Sequence, residues 1–459
     1  MPDRSPRILP APTRRRPRGS VLVVALLVAA LIALVLGGYL SLNLGSARLS
    51  QRTFNRGASF HLAEAGLEEG LWTYNRLLAG HGDAWDGWKL SGEAAWRRLD
   101  GFALSASATG SIKVYASPVA PDEQARPSLV ALASVQSPGG APVTQLLEVS
   151  LRRRSFFAAG LVARDRLAFH GRNTTFDSWD SDPDQDPATP AVPYSAPRSN
   201  DRGEIATGAD EQADLDLNKA RIFGYLRTRG LAPVLQSPGL IGPFGTADGV
   251  IDATRVGKDY NDDFPLIAAP ADGVFIAEFG PTLGTLGAAT SWRAASLKLS
   301  GKKSLTVLGD VTLVLTDLLD AFSITGSSQL IIPSGSSLTV YHSGDLFIGG
   351  GGIANGNATP SSLQFWSTAD GSRRQRVSIA GGGGLSALVY APEADFSVVG
   401  NGEFFGSVVA REVTFGGNAA YHQDLALARL VRHAPYRASG WRSVDDPAER
   451  AALLPLVDR

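Results

Sequence analysis

Four carboxylates at every second position, Asp180, Asp182, Asp184 and Asp186, come nearest in this chain to an arrangement that does chemistry. Alternating carboxylates on a loop can supply the hard oxygen ligands that calcium takes. An EF-hand loop is excluded: with Asp180 as its first position, Gln185 stands where the turn glycine belongs and Ala191 where the bidentate glutamate belongs. The stretch therefore reads as a solvated acidic loop, with calcium as the one candidate ligand and no cofactor otherwise expected. Asp259, Asn261, Asp262 and Asp263 form a second cluster. Calcium gains weight if the two meet in space.

A further set comprises Asp310, Asp345, Glu393, Glu403, His342, His422 and Asp424. Paired carboxylates can act as acid and base on a glycosidic bond, and a histidine beside an aspartate can serve as a base. Most of these residues sit beside glycine corners, where polar side chains bond turn amides, and His422 with Asp424 reads as a cap closing a last coil. No Gly-x-Ser-x-Gly, His-Glu-x-x-His or phosphate loop occurs, and the six histidines show no metal-ligand spacing. The absence of cysteine removes disulfides, thiolate ligands and thiol nucleophiles. A net charge of −1 gives no electrostatic reason to expect nucleic acid. The expectation is a protein that is not an enzyme, with a polysaccharide-active β-helix as the weaker alternative.

The elements that must position these residues begin with Arg14, Arg15, Arg16 and Arg18, then Gly19, then an uncharged, mostly apolar run that ends at Arg48. About 20 apolar residues cross the hydrocarbon core as a helix, and arginines on one flank stay cytoplasmic. Everything after Arg48 is expected outside the cytoplasm. The helical pattern continues past the apolar run, through Leu49, Phe54, Ala58, Leu62, Leu67, Leu71, Tyr74 and Leu78, and no proline interrupts it. One helix over 20–78 would be about 85–90 Å long, so only a third to a half of it fits in lipid. A secretory signal peptide and a plain uncleaved anchor are the other readings of this segment.

The basic leader, Gly19-Ser20, the apolar helix and then His61-Leu62-Ala63-Glu64-Ala65-Gly66-Leu67-Glu68 resemble the N-terminal domain of PilX-type type IV pilus assembly proteins, a minor-pilin family. The resemblance covers about residues 14–80. It implies cleavage after Gly19 by a prepilin peptidase, Ser20 as the mature N-terminus, and helix packing through Ala63, Glu64, Ala65 and Gly66. It also implies other pilin or pseudopilin subunits as partners, a single pass through the inner membrane with a cytoplasmic N-terminus, and a pilus location after assembly. Val24 stands at the fifth mature position, where typical major pilins carry a glutamate. Its absence suits a tip, initiating or low-abundance subunit better than a repeating shaft.

Downstream, residues 81–154 read as a small antiparallel head, with strands over 102–109, 112–117, 129–135 and 143–151 separated by Gly and Pro turns. Trp85, Trp88 and Trp96 read as core anchors for that head. Residues 155–300 are irregular, with one amphipathic helix expected over 213–229. From 301 to 428 short apolar-alternating strands end in Gly-Asn-Gly or Gly-Gly-Asn corners, at about 16–20 residues per coil. That texture points to a parallel β-helix or β-solenoid, with a two-sheet sandwich as competitor. With Leu388–Ala394, Gly400–Ala410 and Gly416–Asp424 as its motifs, a stretch of about residues 300–428 is similar to an uncharacterised β-helical domain found behind PilX-type N-termini in bacterial envelope proteins. The tail, 429–459, is left open between packing on the solenoid and docking on a partner subunit.

The fold class expected is thus mainly β with a long N-terminal helix: leader 1–19, helix 20–80, head 81–154, irregular region 155–300, solenoid 301–428 and tail. The function expected is a membrane-anchored minor pilin or pseudopilin-like subunit displaying the solenoid for assembly or for adhesion to a surface glycan or protein. A static envelope anchor is the alternative.

Overall fold

The computed structural model describes residues 20–458 apart from 106–107, 123–124, 172–173, 187 and 382–383. The chain divides into two compact units, the first made of the N-terminal part through Arg152 together with Arg437 onward, the second of Arg153–Tyr436.

The first unit is built on α1 (Ser20–Leu78), which runs unbroken through Gly37 and Gly38. Its strands are β1 (Lys89–Ser91), β2 (Ala94–Ala103), β3 (Thr109–Ser117), β4 (Ser128–Gln136) and β5 (Val143–Arg153), paired antiparallel in sequence order. Alternation decides which face each residue takes. Ile112, Val114, Leu129 and Ala131 lie on the face that meets α1, whereas Val130 and Leu146 lie on the face that meets α2 (Pro447–Val457). β4 is therefore covered on both sides.

The contact between α1 and the sheet is close because its residues are small. A Cβ added to Gly66 would stand 2.7 Å from Ile112 Cγ2 and 3.1 Å from Val114 Cγ2, and one on Gly70 would stand 2.6 Å from Leu129 Cδ2. Ala63 is fully buried in the same stripe, and the Tyr74 hydroxyl donates to the Pro118 carbonyl at 2.7 Å. Tyr74 also meets the edge of Trp85, which meets Trp88, both at 5.3 Å, while Trp96 Nε1 donates to the Leu456 carbonyl at 2.5 Å.

The tail divides: 429–436 packs on the second unit, with Arg429 beside Asp180 and Asp182 and His433 against Tyr341, and the rest joins the first unit. Strand Tyr436–Ser443 pairs beside β5 at the edge of the antiparallel sheet, and α2 packs on that sheet, capped by Asp446 accepting from the Ala448 and Glu449 amides. Only residues up to Tyr436 stay with the second unit.

The second unit is a large sheet of parallel strands arranged in three ladders. One ladder runs, residue opposite residue, Val274, Trp292, Leu313, Val340, Phe365, Val389, Val408, Leu161, Ile205, Leu226 and Val256. A second runs Leu297, Phe322, Leu346, Val377, Phe396, Val413, Leu167 and Leu215. A third contains Leu385, Phe404, Tyr421, Phe176, Ile222 and Ile241. The apolar side chains of the three ladders meet in one continuous core.

The order of rungs is not the order of the chain. The chain enters the first ladder at Leu161, in its middle, and proceeds to Val256 at one end. It then crosses to Val274 at the opposite end and adds strands back toward Leu161. Ten inter-strand steps of about 4.8 Å separate Val256 from Val274, about 48 Å, whereas the chain of eighteen residue-to-residue steps between them reaches about 60 Å when fully extended. The crossing must run nearly straight along the side of the stack. It does so as an apolar strap, with Tyr260, Phe264 and Ile267 packed beside Trp366 and Tyr390, and Tyr390 donating to the Pro265 carbonyl at 2.8 Å.

Two expectations are corrected here. The helix over 213–229 is absent: Leu215, Ile222 and Leu226 each lie in a different parallel ladder, so the apolar spacing that resembles a helical stripe comes from short strands joined by tight corners. Asn218, with φ of 44°, makes one of those corners. The region over 155–300 likewise carries ladder strands from Leu161 onward, and the spacing within 301–428 varies more than the 16–20 residues expected, from 17 between Phe404 and Tyr421 to 31 between Leu346 and Val377.

Two outcomes follow for stability. Gly66→Val forces a branched side chain onto Ile112, Val114 and Ala131 and is expected to cost about 1–3 kcal/mol, whereas Ala65→Val on the exposed side is expected to change little; thermal unfolding of the full chain reads the difference. Removing five residues from 265–273 leaves a crossing that reaches about 45 Å at most. Amide hydrogen exchange is then expected to show loss of protection over 274–299, while a five-residue Gly/Ser insertion at the same place leaves protection intact.

Candidate functional site

Two places carry the residues that sequence reasoning singled out: the long helix, and the rung where the two windings of the second unit join.

On the helix, residues Val21 to Leu44 lie wholly exposed, an apolar surface with no protein against it. The segment is long and apolar enough to cross a membrane. Val24 is part of that exposed surface. Gly19 lies outside the described residues, and Ser20 begins α1. Of the helix-packing set, Ala63 and Gly66 are buried against the sheet, Glu64 is half-buried and pairs with His61 Nδ1 at 3.0 Å, and Ala65 is exposed.

At the joining rung, Val408–Ala410 pair with Leu161–Ala163 and Ala420–Asp424 pair with Thr175–Trp179. His422 Nδ1 meets Asp177 Oδ1 at 2.6 Å, and the Tyr194 hydroxyl donates to Asp177 Oδ2 at 2.9 Å. The His422 ring lies between Phe405 and Tyr194, with ring centres 4.9 and 4.0 Å away. Burial and the Asp177 carboxylate push the Tyr194 phenol well up. Asp424 accepts from the amide and hydroxyl of Ser181 and from the Ala426 amide, at 3.0, 2.7 and 3.0 Å. Burial raises its carboxyl above the usual range. Gln423 Oε1 accepts from the Glu204 amide at 2.7 Å, and the Tyr421 hydroxyl donates to the Gly160 carbonyl at 2.5 Å. His422 and Asp424 therefore do not close a last coil. They fasten a rung that continues into Leu161–Trp179.

The acidic run belongs to the same rung. Asp180 and Asp182 each lie 3.2 Å from Arg429 Nη2. Asp184 accepts from the Asp186 amide and from Thr189, which hold its carboxyl below the usual range, and Asp186 accepts from the Ala188 amide. Asp262 and Asp263 face a different groove, lined by Arg164, Asp165, Asp210 and Asp214. Among the described residues no group of three or more His, Asp or Glu converges as a metal site.

The remaining candidates are spread along the stack. Asp310 accepts from Ser337 at 2.7 Å, Asp345 pairs with Arg373 at 2.7 Å, and Glu393 pairs with Arg164. Glu403 stands one rung from Ala420 at the strand edge. His342 is fully buried in a corner with Gln375 and the Gly344 carbonyl, and burial lowers its pKa to about 4. No local pattern points to Asp177 or Tyr194 as partners of His422, because Asp177 lies 245 positions from it and the pairing exists only through the permuted strand order.

Residues 292–430, less than a third of the chain, match a family model described as a domain of unknown function, DUF7305. No curated protein matches the chain. Among solved structures, the competence-associated pilin ComZ from Thermus thermophilus is similar over 85% of this chain and 97% of its own, at 11% identity and a TM-score of 0.27. A likeness that weak carries no argument about fold or role. The family match starts at Trp292, near one end of the ladders, and stops just past the joining rung; the winding over 161–257 lies outside it.

His433 gives a pH dependence. Its Nε2 meets the Tyr341 hydroxyl at 2.9 Å, and burial with Arg432 and Arg153 nearby lowers its pKa to about 4, as burial does for His342. Both rings stay neutral when folded and take a proton near pH 6.5 when unfolded. Their stabilising share is complete above pH 6.5 and is lost as pH falls toward 4. Raised Asp424 and Glu204 contribute with the opposite slope. Between pH 6.5 and 4.5 the unfolding midpoint of wild type is expected to fall further than that of His433→Gln, measured by urea titration at each pH.

Proposed function

We propose that this chain is a membrane-anchored, pilin-like structural subunit that holds a β-solenoid outside the cytoplasm. The observation that carries the reading is α1 itself: one unbroken helix whose first half presents only apolar side chains to its surroundings and whose second half packs on an antiparallel sheet. In lipid every backbone polar group must be satisfied within the segment, which a continuous helix achieves. The basic leader supports a cytoplasmic N-terminus. The three parallel ladders are read as three faces of the solenoid, whose interior is the continuous apolar core.

A non-catalytic role is part of the proposal. It is supported by the way the candidate acids and bases are engaged: Asp310 in a corner, Asp345 and Glu393 with arginines, His422 with Asp177, Asp424 with Ser181. A role in assembly, at a tip, or in adhesion to a surface glycan or protein fits such a display. The PilX-type leader, cleavage at Gly19 and Ser20 and prepilin peptidase as a partner belong to the same proposal. Val24 favours the second reading, a static envelope anchor, because an apolar residue there supplies no charge to pair with a neighbour's terminal amine.

Co-expression with a prepilin peptidase separates the two. Mass spectrometry of the membrane-extracted protein is expected to give a mature chain that begins at Ser20. An intact leader in the presence of active peptidase would leave the static anchor as the correct reading.

A further inference from the structure

Just beyond the apolar half of α1, Arg48, Arg52 and Arg56 follow one another at four-residue spacing, so they share one helix face and rise about 6 Å per step. All three are exposed, and no acidic side chain among the described residues pairs with any of them. They form one wall of a groove of about 810 Å³ whose other wall is the 137–142 turn between β4 and β5. That turn is fixed to the helix from below. Buried Asn55 donates to the Ser137 hydroxyl at 2.9 Å, Gln51 donates to Asn55 at 3.0 Å, and Gln136 Nε2 ties the Ser137 and Gly140 carbonyls at 3.1 and 2.9 Å. One carboxylate, Asp445, lies on the lining.

The position of the groove selects its ligand. With the apolar run filling the hydrocarbon core up to about Leu44, Arg48 stands about 6 Å further out, in the headgroup layer. Arginines on this outer flank work against the rule that keeps basic residues cytoplasmic, so their presence calls for a local partner. A planar guanidinium matches phosphate oxygens two at a time.

We propose that this groove holds the phosphate of an anionic phospholipid in the outward-facing leaflet, fixing the depth and rotation of α1. The proposal rests on the membrane-anchor reading. The test uses the full chain in mild detergent, titrated with phosphatidylglycerol or phosphatidylcholine and followed by native mass spectrometry. Wild type is expected to retain phosphatidylglycerol at least fivefold better than the Arg48→Gln, Arg52→Gln, Arg56→Gln variant, whereas the same change at Arg14, Arg15, Arg16 and Arg18 leaves that retention in place. A triple lysine variant is expected to fall between, since it keeps charge and loses the paired geometry. Equal retention by wild type and the glutamine variant, or displacement of the lipid by inorganic phosphate, would overturn the lipid assignment. Carbonate extraction of the chain from membranes would instead overturn the anchor reading beneath it.

Discussion

Register at one rung governs the second unit. Val408–Ala410 against Leu161–Ala163 joins two windings that are made far apart in the chain, and without that pairing each would present a row of open backbone groups. The apolar ladder alone tolerates slippage, because Val, Leu and Ile succeed one another along it with little to distinguish one step from the next. Polar side chains supply the distinction. His422 to Asp177, Asp424 to Ser181, Gln423 to the Glu204 amide and Arg429 to Asp180 each find a partner at this rung and at one offset only. Residues of types that could do chemistry are thus engaged as polar contacts across a join.

The first unit rests on a different constraint, the close approach of a helix to a sheet. Gly66 and Gly70 let the backbone of α1 come down on Ile112, Val114 and Leu129, and the covering of β4 by α2 on its other face leaves its apolar residues no solvent side. The same helix presents an apolar surface for more than twenty residues and small residues for the next stretch. One continuous element thereby carries two compositions, one for an exposed apolar surface and one for close packing on a sheet.

How much of this was legible in the sequence differs by element. The helix was, because a charge-free run bounded by Arg18 and Arg48 has few readings, and the absence of proline through Leu78 let the period continue. Strands β3, β4 and β5 were, because alternation and Gly or Pro turns agree there. The strands over 215–227 were not: Leu215, Ile222 and Leu226 fall close to helical spacing, and only pairing with distant strands shows that each belongs to a different ladder. The tail was silent for the same kind of reason, since an edge strand is defined by the neighbour it finds. At the joining rung, the sequence presented Asp180 and Asp182 as candidate ligands and His422 as a candidate base, but the residues that answer them lie some 245 positions away, beyond any local pattern.

The permuted order of rungs has a consequence for synthesis. The strand Leu161–Phe169 leaves the ribosome with one lateral edge destined for Glu403–Gly417, about 240 residues later. At 5–20 residues per second that edge waits about 12 to 48 s for its neighbour. Until that neighbour is made, the open edge of Leu161–Phe169 can pair with another chain, so the second unit closes this join only once Glu403–Gly417 has been synthesised.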